Sequence, residues 1–265
     1  MSSLICIASY CTEENGRLKY AKRCMYSLLD TVDFNKHRLG IYLNAPSEEA
    51  KLFYAEFQHK FESSFPAGNL VIIENYENVG TAKAVTALMA KGTKDDFAYI
   101  KADDDFIVNK YGWVDEMEDA ARRFPKAGVI ALKRRDLTES VYRNDWGKST
   151  LIEVPHQLGE KWYHLEAVNA CIGTCMMITP AAIEKVGALT QRGVYALDDS
   201  KYSYRCMLVG LLSCYLCGVD IEHIDEGGDA YTKWKQDVAG EVLKTYQQDL
   251  NDYKTGKEPI YAPFE

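Results

Sequence analysis

From Leu4 to Leu132, short apolar runs alternate with segments of helical period, and this alternation leaves few folds open. Strands are expected at Leu4–Ser9, Arg38–Leu43, Leu70–Glu74, Phe97–Lys101 and Gly128–Leu132. Helices are expected at Arg17–Leu29, Glu48–Phe61, Thr81–Met89 and Trp113–Phe124. In the second helix Phe53, Phe57 and Phe61 recur every four residues and mark one apolar face. Strand–helix repetition of this kind builds a largely parallel sheet whose crossover helices cover its faces. The regularity then breaks. Residues 138–164 are polar and aromatic with little period, and an apolar stretch runs from Ala167 to Ile178. Helices follow at Pro180–Val186, where Pro suits a first turn, and at Ser200–Val209; a late strand lies within Leu211–Ile224. The tail is helical around Trp234–Tyr253. The expected organisation is one α/β domain over residues 1–228 with a helical extension, 229–265, packed on it.

Composition narrows the function classes. The chain has 265 residues and a net charge of -8, a poor match to the phosphate neutralisation that nucleic-acid binding needs. It contains no apolar run long enough to span a bilayer and no signal-peptide pattern at its start, so a cytoplasmic setting is expected. Eight cysteines in a chain of this length read as buried free thiols. Cys214 and Cys217 sit in a strand pattern that points them to opposite faces.

The chemistry is concentrated in three places. Asp103, Asp104 and Asp105 follow the fourth expected strand directly, and open parallel sheets bind ligands beyond the carboxyl ends of their strands. Adjacent carboxylates disfavour one another's ionisation. A hard divalent cation, Mg²⁺ or Mn²⁺, relieves that repulsion and takes diphosphate oxygens as its further ligands. In an extended segment Asp103 and Asp105 share a face. Asp198 and Asp199 precede an expected helix and can cap it, accept a proton from an attacking hydroxyl, or both. His223 ends the late strand, and a neutral imidazole is a common metal ligand.

In this order the pieces resemble the family-2-like glycosyltransferases of the GT-A fold, a type found in bacteria and bacteriophages. The likeness rests on Ile7-Ala8-Ser9-Tyr10 at a first strand end and on Asn78-Val79-Gly80 opening a helix with Ala82 and Lys83. It rests also on the triple aspartate in the place of the family's D-x-D, and on Gly173-Thr174-Cys175-Met176-Met177-Ile178 before a helix and Gly187. Asp198-Asp199 with Arg205 and Gly210, and finally His223, complete the series. The resemblance implies a cytoplasmic, metal-dependent, inverting transfer of a sugar from a nucleotide diphosphate sugar, UDP favoured, to a hydroxyl acceptor. It implies metal ligation by Asp103, Asp105 and His223 with Mn²⁺ or Mg²⁺, and a general base at Asp199, with Asp198 as the alternative. Donor contacts would come from Ser9, Tyr10, Glu13, Asn44, Asn78, Gly80, Lys83, Asp103, Asp104 and Arg134, with Lys133 also near the diphosphate. Two departures stand out: Asn44 occupies the place of the family's base-reading Asp, and the acidic pair is Asp-Asp where Glu-Asp is usual.

The acceptor is expected over residues 138–166 and the tail, where Tyr142, Trp146, Trp162, Tyr163, Tyr231 and Trp234 could stack on sugars or bases. Sugars, glycans and proteins are open as acceptors, as are, through the phage members of the family, hydroxymethylated DNA bases; the acidic balance speaks against the last. A nucleotidyltransferase would carry a Gly-rich basic loop after its first strand, whereas this chain has the acidic stretch Tyr10–Arg17 there. A non-catalytic sugar-binding module would have no use for two acidic clusters and His223.

Overall fold

The computed structural model describes residues 2–137, 150–156, 159, 161–227 and 230–264. Ten strands form one sheet: β1 (Ser2–Ser9), β2 (Arg38–Asn44), β3 (Leu70–Asn75), β4 (Asp96–Ala102), β5 (Phe106–Val108), β6 (Ala127–Arg134), β7 (Thr150–Pro155), β8 (Trp162–Val168), β9 (Cys175–Ile178) and β10 (Leu212–His223). Seven helices flank it among the described residues: α1 (Leu18–Thr31), α2 (Glu48–Ser64), α3 (Thr81–Met89), α4 (Trp113–Arg123), α5 (Pro180–Lys185), α6 (Asp198–Leu208) and α7 (Ala230–Thr255). The strand order is β3-β2-β1-β4-β9-β6-β10-β8-β7, with β5 on β10.

β3, β2, β1 and β4 are mutually parallel, as the alternation requires, and β6 with β10 is parallel too. Between these two parallel blocks runs β9, antiparallel to both β4 and β6. Two antiparallel steps restore direction, so β1, β2, β4, β6 and β10 all present their carboxyl ends along one edge. β7 and β8 form an antiparallel hairpin on the far side. This hairpin and the three-residue β5 were not expected from the sequence. β7 carries only one buried side chain, Val154, and one half-buried, Ile152, so its apolar signal is short.

Period two along β1 divides the core. Ile5 and Ile7 face α1, α2 and α4, while Leu4 and Cys6 face α3, α5 and α6. α2 begins where Ser47 accepts a hydrogen bond from the Ala50 N–H and two glutamates fill the first turn; Phe53, Phe57 and Phe61 are its buried face. Pro180 opens α5 behind a Thr179 cap. α7 is moored by the Lys201–Asp249 ion pair, by Arg192 at 2.9 Å from Asp249, and by a 2.8 Å contact between Thr190 and the Tyr253 hydroxyl. The buried Arg205 donates to the carbonyls of Val186, Ala188 and Ile260. It thereby ties α6 to the chain on both sides of α7. The cysteines are all free; seven are buried and Cys217 is exposed. No helix among the described residues is long and apolar enough to cross a membrane.

Candidate active site

The strand ends meet at a cavity of about 530 Å³. Its wall includes the aspartates of the triple cluster, Asp198 and Asp199, His223, Asn44, Asn78 and, from α7, Tyr231, Trp234 and Lys235.

The three adjacent aspartates have three different environments. Asp104 is buried and accepts a 2.7 Å hydrogen bond from Ser9, whose hydroxyl in turn accepts from Tyr54 at 2.8 Å. Burial pushes its carboxyl upward, and the neighbouring Arg17 pulls it back only in part. Asp103 is the exposed member and accepts from Lys101 at 2.7 Å. Asp105 is buried against Arg17, with the His223 Nε2 at 3.4 Å. Burial alone would raise Asp105, but the His223 hydrogen bond and the Arg17 charge outweigh it and hold this carboxyl below the usual range.

Arg17 organises this end of the site. Its guanidinium is only 3% exposed; it bonds Asp105, donates to Asp225 at 2.6 Å and lies 3.5 Å from Asp104. It also lies over the Tyr231 ring, 4.7 Å from the centroid. Lys235 adds a second cation 3.2 Å from Asp225. Ligand atoms of Asp105, His223 and Asp225 all fall within 4.8 Å of one another, which among the described residues makes them the group able to hold a metal ion. The Oδ1 of Asp105 is buried without a hydrogen-bond partner. Two carboxylates, one of them with an orphaned oxygen, and one imidazole fit a hard divalent cation. Of the expected ligands Asp105 and His223 fall in this group together with Asp225, while Asp103 is paired with Lys101.

On the other side of Asp103 lies the second acidic pair. Lys101, buried, donates to Asp103 and to the Gly173 carbonyl at 2.5 Å. The Gly173 N–H donates to Asp199 at 2.7 Å. A side chain at position 173 would place its Cβ 2.8 Å from the Lys101 Nζ and 2.9 Å from the Asp199 Cβ, so this contact requires glycine. The other Asp199 oxygen accepts from the Ser200 N–H at 2.6 Å. Asp198 is buried, one of its oxygens has no partner, and burial against Asp199 and Asp103 pushes its carboxyl up to about 6 despite Lys101. Both aspartates line the cavity, Asp199 as the half-buried member.

The remaining sequence candidates divide. Tyr10, Asn44, Asn78 and Arg134 line the cavity, with Lys133; Lys133 pairs with Glu166 at 2.6 Å and Arg134 with Asp136. Ser9 braces Asp104 from behind, and Gly80 backs the wall. At φ +86 a Cβ on Gly80 would lie 2.6 Å from the Val194 Cα, so only glycine lets the loop before Tyr195 approach. Glu13 and Lys83 are exposed and do not line the cavity. Among the aromatics, Tyr231 and Trp234 stack at 5.4 Å and meet Tyr10 and Tyr195 in one cluster. Tyr163 is buried on Asp119, Trp162 is exposed, and Tyr142 and Trp146 fall outside the described residues. Sequence reasoning passed over Arg17, Lys101 and Asp225. Each is a single charge in an unremarkable local context, and only convergence in space gives it a role.

A parallel-cored sheet with acidic strand ends on one edge, covered by helices on both faces, is the GT-A α/β fold, and solved structures bear this out. The chain is similar to the mannosyltransferase PcManGT from Pyrobaculum calidifontis in complex with GDP-Man and Mn²⁺, with TM-score 0.59, 13% identity, and coverage of 88% of this chain and 59% of that one. It is similar to GalNAc-T7 with UDP, GalNAc and Mn²⁺, with TM-score 0.59, 11% identity, and coverage of 84% and 43%. It is also similar to S. aureus TarS 1-349 in complex with UDP, with TM-score 0.56, 12% identity, and coverage of 84% and 60%. The matched region spans about half of each of these chains. No family model and no curated protein sequence matches.

Proposed function

We propose that the protein is a metal-dependent glycosyltransferase that moves a sugar from a nucleotide diphosphate sugar to a hydroxyl acceptor with inversion. The observation that carries this reading is two acidic clusters at one cavity: Asp105 and His223, which line it and form a cation-binding group with Asp225, and the pair Asp198 and Asp199. The relatives in fold were solved with GDP-Man, UDP and Mn²⁺, which supports a similar donor here.

Asp105, His223 and Asp225 would hold Mn²⁺ or Mg²⁺, which when bound neutralises charge on the departing diphosphate. Lys133 and Arg134 line the same cavity and supply further positive charge. Asp199 takes the acceptor proton: it reaches the cavity, and the Gly173 and Ser200 N–H groups fix its direction. Asp198 lines the same cavity but is more buried. Tyr195, Tyr231 and Trp234 exclude water and offer ring faces to a sugar. Residues 1–228 would form the transferase domain and 229–265 an extension contributing part of its wall.

The test is release of nucleotide diphosphate from a panel of nucleotide sugars, with Mn²⁺ and with EDTA. Metal-dependent turnover of one donor, lost in Asp199→Asn by about a hundredfold or more, is the expected result. Turnover indifferent to EDTA would remove the metal, and full activity in Asp199→Asn would remove the base.

A further inference from the structure

The turn that delivers Asp198 and Asp199 to the cavity is not fixed by its own residues. Ala196 and Leu197 stand at φ +81 and +63, two consecutive non-glycine residues with positive φ directly before Asp198. A side chain disfavours that conformation. Leu197 is the N-cap of α6 and makes no side-chain cap bond, where a helix start ordinarily uses Ser, Thr, Asp or Asn in extended backbone. Strain of this kind persists only where the surrounding structure enforces it.

The enforcement comes from other elements. Gln191 accepts from the Ala82 N–H and donates to the Ala196 carbonyl, both at 3.2 Å, and so braces the turn against α3. From α7, Asp249 reaches both flanks of the turn. One of its oxygens bonds Lys201, in the first turn of α6, and the other lies 2.9 Å from Arg192, an ion-pair contact out of hydrogen-bond alignment. Tyr253, one turn further along α7, meets Thr190 at 2.8 Å. Asp249 and Lys201 are buried, whereas Arg192 is exposed, so the Lys201 pair is the stronger hold. α7 thus grips the chain on either side of the positive-φ pair. Asp249, Tyr253, Arg192 and Lys201 do not line the cavity, but Tyr195, Ala196 and Leu197 between the grips do.

We infer that Asp249 is a positioning residue for the transfer: by clamping Lys201 and Arg192 it holds the Ala196-Leu197 turn in the conformation that sets Asp199 on the cavity wall. This rests on the reading of Asp199 as the base under Proposed function. It gives the C-terminal helix a part in the chemistry besides the wall that Tyr231 and Trp234 form. The competing account is a purely structural anchor, whose loss would lower stability and leave turnover per folded molecule alone.

The experiment compares the full chain as wild type, Asp199→Asn, Asp249→Asn and the double variant Lys201→Ala with Asp249→Ala. The double variant leaves no unpaired buried charge on Lys201 and serves if Asp249→Asn does not fold. Turnover of the nucleotide-sugar panel in Mn²⁺ gives kcat and KM, calorimetry with UDP and GDP gives nucleotide affinity, and hydrogen exchange follows residues 190–201. Absence of turnover in wild type, or full turnover in Asp199→Asn, overturns the reading of the site and this inference with it. With that reading intact, kcat of the folded Asp249 variant should fall about tenfold or more, while KM and nucleotide affinity stay within about twofold. Exchange over 190–201 should quicken while that of β1 and β4 stays unchanged. Adding Ala196→Gly, which takes positive φ without a steric cost, should recover kcat by about threefold or more. An unchanged kcat in the folded Asp249 variant overturns the inference, as does a loss that Ala196→Gly leaves untouched or one matched by an equal loss of nucleotide affinity.

Discussion

Replacing Arg17 by methionine removes the one cation in contact with three buried carboxylates at once. The guanidinium bonds Asp105 and Asp225 and stands 3.5 Å from Asp104, and all four side chains are at most 8% exposed. Deleting one partner of a buried ion pair costs about 3–5 kcal/mol, because the charge left behind is neither hydrated nor paired. His223 and Lys235 compensate Asp105 and Asp225 in part, so the lower end of that range is expected, near 3 kcal/mol. For a chain of this size that lowers the melting temperature by roughly 10 °C. The assay is urea and thermal unfolding at pH 7.5 in EDTA, repeated at lower pH and with Mn²⁺. Asp105 has its folded carboxyl held below the usual range. The stabilisation it gains from Arg17 is therefore complete above the ordinary carboxyl range and disappears as pH falls through the depressed value. The gap between wild type and variant should close on acidification below about pH 4. Mn²⁺ should raise the melting temperature of the variant more than that of wild type, since the cation then replaces a missing charge. A variant within about 1 kcal/mol of wild type at pH 7.5 in EDTA would refute the reasoning, because exposed pairs are the ones worth that little.

Three further outcomes follow from the same geometry. Asp198→Asn should gain stability relative to wild type as pH rises from about 4 to 6, because the buried carboxyl, pushed up to about 6, keeps its proton while the unfolded chain releases it; a flat difference across that window in urea titrations would contradict it. Gly80→Ala should lose about 1 kcal/mol or more for its positive φ and, by pushing the Val194 backbone away, weaken nucleotide binding in a titration; unaltered affinity would mean the loop does not form the wall. Lys101→Met should lower turnover more than donor affinity, because Lys101 holds the Gly173 peptide that directs Asp199; an effect confined to KM would place Lys101 on the donor instead.

The elements that repeat with a clear period were legible in the sequence. The expected strand Arg38–Leu43 is observed as Arg38–Asn44, and the expected helix Thr81–Met89 has those same bounds, because β-branched runs and amphipathic faces encode burial locally. β5 and the β7–β8 hairpin were not, since β5 is three residues long and β7 shows one mostly exposed face. The triple aspartate and His223 could be placed at strand ends, and Asp198-Asp199 at a helix start, from order alone. Which aspartate meets His223 could not: Asp103 and Asp105 share a face on paper, yet Lys101, two residues earlier, pairs with one of them and Arg17 with the other. Partner choice of this kind is decided by distances between segments far apart in the chain, on which spacing carries no information.

The position of β9 has a consequence for how the chain assembles. β4 is complete at Ala102 and β6 at Arg134, yet the strand that joins them is Cys175–Ile178. Until it inserts, the β3-β2-β1-β4 block ends on an unpaired β4, and β6 has no partner on either side, because β10 comes later still. During synthesis the middle of the sheet is thus closed only after Ile178 has emerged, by a short antiparallel strand with four buried side chains. Open edges of buried strands are templates for pairing with other chains. Aggregation during refolding should therefore be governed by how fast that closing strand docks, and substitutions in Cys175–Ile178 should lower the yield of folded protein more than they lower the stability of what does fold.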